Sequence, residues 1–274
     1  RALAWAIGSP NLMAPCPGLN FPRMDTTQQA YEEARPWLRA LDADPNPLLE
    51  TIRALKTWKV GVYFEALLGF WLEHSSPLTI VAHNAQVRGE GRTLGAFDFL
   101  LRDQKGRHEH WEIAVKFYLQ QRPSTEWSDW VGPNQRDHLE RKLTRMRDHQ
   151  LPLAHTVSGR SCLATLGINT LQTQRAVLKG TLFTPWPPAD TPRAPRGSSP
   201  AGERGIWLPV NTLKDLVESA PDQRWFRRKK PDWLGPAVQN VVHTLDGDGF
   251  LNACQTTVIQ RPQLWSSMNE FEPE

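Results

Sequence analysis

The chain has 274 residues, 39% apolar and 22% charged, a length and balance that suit one elaborated domain or a core with an accessory lobe. No apolar run approaches bilayer-spanning length, the N-terminus lacks the zones of a signal peptide, and Cys16, Cys162 and Cys254 form no C-x-x-C pair. These features argue against a membrane span, a disulfide framework and a zinc ribbon, and cytoplasmic localisation in a reducing compartment is the expectation; the formal charge of +3 is too small to announce a nucleic-acid protein unless the charges are clustered.

Residues 1–56 read as an N-terminal helical segment. The stretch TWKVGVYFEALLGFWLEH, 57–74, has apolar residues at three and four spacing and predicts a buried amphipathic helix. Glu65 is its odd residue, with Gly61 and Gly69 one turn to either side on the same stripe. Two glycines in a helix interior cost roughly 1 kcal/mol each relative to alanine. They let another backbone approach closely and aim the carboxylate into the gap. Residues 78–87 predict a first strand, with Asn84 and Gln86 on one face and His83 and Ala85 on the other, where polar side chains are placed to line a substrate groove.

A hairpin follows. Residues 94–101 and 111–119 are apolar, aromatic and β-branched runs around a polar segment that carries Gly106 where a tight turn wants a positive φ. A three-residue loop at 104–106 makes paired residue numbers sum to about 210, which sets Asp98 opposite Glu112 within one residue of register. Alternation puts Glu112, Ala114, Lys116 and Tyr118 on one face and Trp111, Ile113, Val115, Phe117 and Leu119 on an apolar face that must be core. Cross-strand carboxylates have Cβ atoms roughly 5 Å apart, and they repel unless one is protonated or a cation lies between them.

Asp98 and Glu112 are therefore candidate ligands for Mg²⁺ or Mn²⁺, with Glu65 as a third carboxylate. Lys116 is the candidate to hold a scissile phosphate or orient the attacking water. The bland alternative is a cross-strand salt bridge on a solvated face, against which the small Ala114 leaves room above the strand. His108 and His110 share the Glu112 face, and His110 is a candidate auxiliary base or phosphate contact.

Downstream, Gly132-Pro133-Asn134 reads as a helix start, and 135–150 follows with Leu139, Leu143 and Met146 as an apolar stripe among Arg136, Arg141, Lys142, Arg145 and Arg147. Lys142 and Arg145 are candidate phosphate contacts. Residues 176–183 predict the last strand of the core sheet, interrupted at Lys179-Gly180. The stretch 184–206, rich in proline, serine and alanine, is expected to be a mobile loop, and 207–274 an accessory segment opening with a short helix. Within it Arg224-Trp-Phe-Arg-Arg-Lys-Lys230 interleaves cations with aromatics, so Arg227, Arg228 and Lys229 are further nucleic-acid candidates, against the plainer reading of a solvated turn. Most of the twelve tryptophans sit in apolar runs and are expected in the core.

The order helix with Glu, strand, strand with Asp, strand with E-x-A-x-K, then helix resembles the PD-(D/E)XK (restriction-endonuclease-like) nuclease superfamily. In that superfamily's usual motif Glu and Lys are two residues apart, whereas Glu112 and Lys116 are four apart. The blocks RALAWAIGSP, GVYFEALLGFWLEH, TLGAFDFLL, HWEIAVKFYL, WVGPNQRDHLERKL and LKGTLFTP are similar to successive blocks of an uncharacterised bacterial family, domain of unknown function 1853. The resemblance implies an α/β fold with an αβββαβ core over 57–183, a mixed sheet flanked by helices, and a Mg²⁺- or Mn²⁺-dependent nuclease acting on DNA or RNA. It also implies that Lys142 lies close to the site. The rival expectations are a non-catalytic nucleic-acid-binding or assembly protein that retains the fold, and a hydrolase of small phosphodiesters or nucleotides.

Overall fold

The computed structural model describes residues 1–89, 91–188, 193–235, 244–256 and 263–269. Three helices, α1 (Ala2–Gly8), α2 (Met24–Ala43) and α3 (Asn46–Arg53), make up most of the N-terminal segment. They lead into α4 (Val60–His74), which starts three residues later than periodicity alone suggests and buries Tyr63, Phe64, Leu67, Leu68, Phe70, Trp71 and Leu72. A helix with apolar residues on so many sides needs cover all round. It receives that cover from α1 and from the sheet beneath it.

The sheet opens with an antiparallel meander, β1 (Thr79–Gly89), β2 (Arg92–Arg102) and β3 (His108–Gln120). The β2–β3 turn closes as a three-residue loop, with Asp103 and Arg107 joined through backbone at 2.9 Å and Gly106 at φ 77°. Phe99↔Trp111 and Leu100↔His110 give the predicted register. A two-residue strand, β4 (Trp130–Val131), pairs the end of β3. The chain then forms α5 (Leu139–Arg145), a wide turn over Met146–Gln150, a 3₁₀ turn over Leu151–His155, and α6 (Val157–Thr165).

It returns as β5 (Thr173–Pro185), parallel to β3 from Glu109↔Thr173 to Leu119↔Phe183, and β6 (Glu203–Trp207) adds in parallel outside it. The sheet order is β1-β2-β3-β5-β6, with β4 off the path. The protein is thus mixed α/β, with a six-stranded mixed sheet and the core elements in the order α4, β1, β2, β3, α5, β5.

Three expectations differ from what the chain does. Lys179-Gly180 does not interrupt β5. Gly180 takes φ 133°, and a Cβ there would stand 1.7 Å from the Lys116 carbonyl oxygen, so glycine is what lets the two strands stay in contact. The helix after the hairpin does not start at residue 135. Gln135 has φ 58° and Gly132 N donates to Asp137 O at 2.7 Å, so 132–137 is a turn, and α5 begins after His138. The segment 184–206 is in large part fixed. Glu203–Trp207 is strand β6, Ser199 N donates to Leu12 O and Ala14 N to Gly197 O, both at 2.9 Å. Composition misses this because the order comes from backbone hydrogen bonds to other parts of the chain rather than from apolar side chains of its own. Ala189 to Pro192 within it lie outside the described residues.

Both faces of the sheet are covered. Ile113, Val115, Phe117 and Val177 join α1 and α4 in one core; Tyr118, Ala176, Leu178 and Leu182 join Leu139, Leu143 and Met146 in another. A strand with parallel and antiparallel neighbours in mid-sheet is normally buried on both sides. So the Glu112 face, polar by alternation, is itself interior.

The accessory segment builds a small core of its own. Helices α7 (Leu213–Ser219) and α8 (Gly247–Thr256) pack on the two-stranded sheet of β7 (Gln223–Arg228) and β8 (Leu264–Asn269), with Trp225 stacked on Phe250 at 4.4 Å. Trp233 meets Phe117 edge-on at 5.1 Å and ties this unit to the α4 side of the sheet. Among the described residues no helix is long and apolar enough to cross a membrane.

Candidate metal and phosphate site

The site starts from a break in a β-ladder. The β2–β3 pairing ends at Phe99↔Trp111, one residue short of Asp98 and Glu112. Beyond that point the Ile113 N–H, which a continued ladder would use, donates to Asp98 Oδ2 at 2.9 Å. A carboxylate thus takes the place of a strand, and the diverging strands leave a gap that Asp98 enters. The hairpin keeps the expected register up to Phe99↔Trp111, and just beyond the end of the ladder Asp98 and Glu112 are near enough to shift each other's pKa.

Glu112 has no exposed surface. His110 Nε2 lies 2.8 Å from its Oε1, and the Gln150 amide nitrogen donates to its Oε2. Lys142 on α5 donates from Nζ to Gln150 Oε1 at 3.1 Å, so one amide stands between the ammonium and the carboxylate. His110 is equally buried, and burial pushes its pKa down to about 4. Its contact with Glu112 is therefore a hydrogen bond from a neutral imidazole at neutral pH, although the separation alone would pass for an ion pair.

Both carboxyls are strained electrostatically. Asp98 is pushed up to about 7, first by burial and then by the charge of Glu112, with the Ile113 hydrogen bond and Lys142 acting against the shift. Glu112 is pushed up to about 7 by burial, with Lys142 the largest counterweight. Lys142 itself is lowered by burial and held up by Glu112 and Asp98. One half-buried ammonium beside the buried Glu112 and the partly buried Asp98 leaves an excess of negative charge at neutral pH. A proton or a further cation must relieve it.

Of the candidate residues, Asp98, Glu112, His110 and Lys142 are brought together, with the exposed Arg145 close enough to act on both Glu112 and Lys142. Glu65 is near enough to raise Asp98 but is held aside: His83 Nε2 lies 2.6 Å from its Oε1, and the Asn84 amide donates to the same oxygen. Those hydrogen bonds, His83 first, hold the Glu65 carboxyl below its usual range, while Glu65 raises His83. Asn84 reaches Glu65 from a positive φ of 52°, uncommon for a non-glycine residue, and His83 stacks on Phe99 at 4.5 Å.

Lys116 shares the face of Glu112 but is paired elsewhere, 2.6 Å from Asp137 Oδ2 in the turn before α5. The lysine that acts on the carboxylates is Lys142. Arg227, Arg228 and Lys229 are not part of this constellation. Arg228 donates to Gly235 O at 2.7 Å and lies among Asp232, Glu203 and Arg1, and the aromatics Trp225 and Phe226 beside it are buried, so they offer no stacking surface.

Gln150, Gln174, His155 and Asp137 escaped the sequence analysis. Gln174 lies on the face of β5 that carries Ala176 and Leu178, so extending the predicted strand by two residues would have exposed it as the polar member of an apolar stripe. Gln150 has no such signal, because its place depends on the wide turn after α5.

Among the described residues no three His, Cys, Asp or Glu side chains converge for a metal ion. The donor set still fits a hard, oxygen-seeking cation at Asp98 and Glu112. Mg²⁺ commonly takes one or two carboxylates and completes its shell with water and substrate phosphate oxygens.

No curated protein and no solved structure matches the chain. The profile of one family, described as a domain of unknown function (DUF1853), matches residues 1–266, and the chain belongs to that family.

Proposed function

We propose that the protein is a metal-dependent phosphodiester hydrolase, a Mg²⁺- or Mn²⁺-dependent nuclease acting on DNA or RNA, built on a restriction-endonuclease-like core. What supports the reading most is the Asp98–Glu112 pair, one partly buried and one buried carboxyl, both pushed up to about 7 beside Lys142 where the β2–β3 ladder ends. Lys142 is half-buried and Arg145 exposed, so they compensate the two carboxyls incompletely, and uncompensated charge taken out of water costs stability. The element order α4, β1, β2, β3, α5, β5, with Asp98 on β2 and Glu112 on β3, supports the superfamily assignment.

In this reading Asp98 and Glu112 would hold the cation, and His110 and Gln150 orient Glu112 by donating to separate oxygens. A cation held there would supply Lewis-acid polarisation of a phosphoryl oxygen and acidify water. Lys142 offers an ammonium to the phosphate, taking over the position the motif gives to a lysine on β3. Lys116 stands one step out and orients the turn through Asp137, and Arg145 meets the polymer backbone at the rim. Glu65, with His83 and Asn84, holds the outer side of Asp98 or binds the cation through water.

The alternative, a non-catalytic nucleic-acid binder with this fold, draws on the lack of a third converging ligand among the described residues. The test is purified protein with Mn²⁺ against single- and double-stranded DNA and RNA, beside Asp98→Asn and Lys142→Met. Cleavage by the native protein and loss in both variants is the expected result. Cleavage that survives Asp98→Asn overturns the site, and nucleic-acid binding with neither cleavage nor Mn²⁺ uptake in calorimetry favours the alternative.

A further inference from the structure

A chain of hydrogen bonds runs into Glu112 from the side away from Lys142. His155 Nε2 lies 2.9 Å from Gln174 Oε1; Gln174 Nε2 lies 2.6 Å from Leu151 O and 3.3 Å from His110 Nδ1; His110 Nε2 lies 2.8 Å from Glu112 Oε1. The direction of every link follows from one of them. Leu151 O is a backbone carbonyl and only accepts, so the amide of Gln174 must turn its nitrogen that way. The second hydrogen of that nitrogen then points to His110 Nδ1, which becomes the acceptor. A neutral imidazole with Nδ1 as acceptor carries its proton on Nε2, and that proton faces Glu112. Gln174 Oε1, on the far side, receives the His155 N–H.

We infer that Gln174, anchored by Leu151 O and His155, is a positioning residue that locks His110 in the Nε2–H tautomer, so that Glu112 accepts a hydrogen bond on each oxygen and keeps one orientation toward Asp98. Its consequence for cation binding rests on the proposed metal site. The tautomer itself does not. The two donors, His110 on Oε1 and Gln150 on Oε2, favour the ionised carboxylate and hold its plane from opposite ends. Partners behind a ligand of this kind typically set metal affinity by 10- to 100-fold when removed. An ionised Glu112 by itself favours Nε2–H, but a protonated Glu112 could instead donate to Nε2 and leave the proton on Nδ1; the Gln174 N–H directed at Nδ1 removes that second arrangement, while the edge of Phe97, at 4.9 Å between ring centroids, favours neither.

The experiment uses the full chain with ¹⁵N-labelled histidine, following the His110 ring nitrogens by long-range proton–nitrogen spectra, and measures Mn²⁺ binding by calorimetry at pH 7.5, a pH chosen with roughly the ordinary titration range of histidine below it. Three proteins are compared: native, Gln174→Met, which removes the donor at similar length, and Gln174→Glu, which presents only acceptors to Nδ1. Thermal melts establish that each is folded.

Native protein is expected to show His110 as neutral Nε2–H with or without Mn²⁺. Gln174→Glu is expected to lose that signature, because Nδ1 must now donate, and to bind Mn²⁺ about 10- to 100-fold more weakly, with Gln174→Met intermediate. An Nδ1–H tautomer in native protein overturns the inference, as does a Gln174→Glu protein that keeps both the Nε2–H signature and native affinity. Native protein that shows Nε2–H but takes up no Mn²⁺ supports the tautomer lock and overturns only the metal reading.

Discussion

Two lysines whose basicity burial lowers, the buried Lys179 and the half-buried Lys142, stand on opposite faces of one sheet and do different work. Lys179 on β5 has 2% exposure and donates to Ala6 O at 2.7 Å and Ile7 O at 2.9 Å, carbonyls in the last turn of α1. It is a side-chain cap, meeting orphaned carbonyls at the negative end of a helix dipole. Burial pushes it down to about 7, with only Glu203 acting to raise it. Lys142 on α5 also loses basicity to burial, yet it stands beside two carboxyls and reaches one of them through Gln150. Partners, rather than depth, separate a structural lysine from a candidate site lysine. Backbone carbonyls consume the donors of Lys179; the carboxyls beside Lys142 stay under-neutralised.

The sharpest way to break this contrast is at the acids. Asp98→Asn keeps an acceptor for Ile113 N–H but removes the charge, and is expected to abolish Mn²⁺-dependent cleavage, on the order of 100-fold or more, if the carboxylate is a ligand. The same change should raise the stability of the metal-free protein at pH 8 by on the order of 2 kcal/mol, since it ends a repulsion. Denaturant melts at pH 8 measure this, and an unchanged or lower midpoint would contradict the repulsion. Lys142→Met is the mirror image. It should lower cleavage by roughly 100-fold and reduce stability at pH 8 by leaving the buried Glu112 and partly buried Asp98 without their nearest ammonium.

Lys179→Met should instead cost about 1–3 kcal/mol of stability, for two buried carbonyls left without a donor, and leave Mn²⁺ affinity unchanged in calorimetry. Its pH signature also differs. A lysine lowered to about 7 gives stability that is present above its usual 10.5 and is lost as pH falls through about 7. Native protein should therefore gain stability between those two values in a way that Lys179→Met does not.

The carboxyls run the other way. Raised to about 7, Asp98 and Glu112 contribute stability that is full below their unfolded values and fades as pH rises through about 7. His110, lowered to about 4, opposes them, its contribution being lost as pH falls through about 4. A cation competes with the proton for the same oxygens, so the rise in Tm on adding Mn²⁺ should be larger at pH 8 than at pH 5.5. Equal shifts at both would place the ion elsewhere. The smallest effect belongs to Lys116→Ala. Its pair with Asp137 is about a third exposed, and its loss should cost about 0–1 kcal/mol and change cleavage less than that of Lys142→Met.

The hairpin was legible from local chemistry. A glycine at the turn and a period of two along β3 were enough to set the register that brings Asp98 near Glu112, His110 beside Glu112, and Ile113, Val115 and Phe117 in the core. Glu65 stood out as an acid in an apolar helix, though not its capture by His83 and Asn84, which depends on how α4 lies over β1. The turn at 132–137 was misread because Gly-Pro-Asn suits a turn as well as a helix start, and a positive φ at Gln135 leaves no local trace in a glutamine.

Local sequence determined what the neighbours along the chain impose: element identity, the hairpin register, and which side chains share a face, since those follow from backbone sterics and alternation within a few residues. Tertiary structure decided which lysine serves the carboxyls. Lys116 is four residues from Glu112 and is drawn off by Asp137, whereas Lys142 and Gln150 arrive from a helix and turn whose packing through Leu139, Leu143 and Met146 fixes their reach. It also decided that the Glu112 face is interior, and burial is what turns two ordinary acids into a pair that must share a proton or hold a cation.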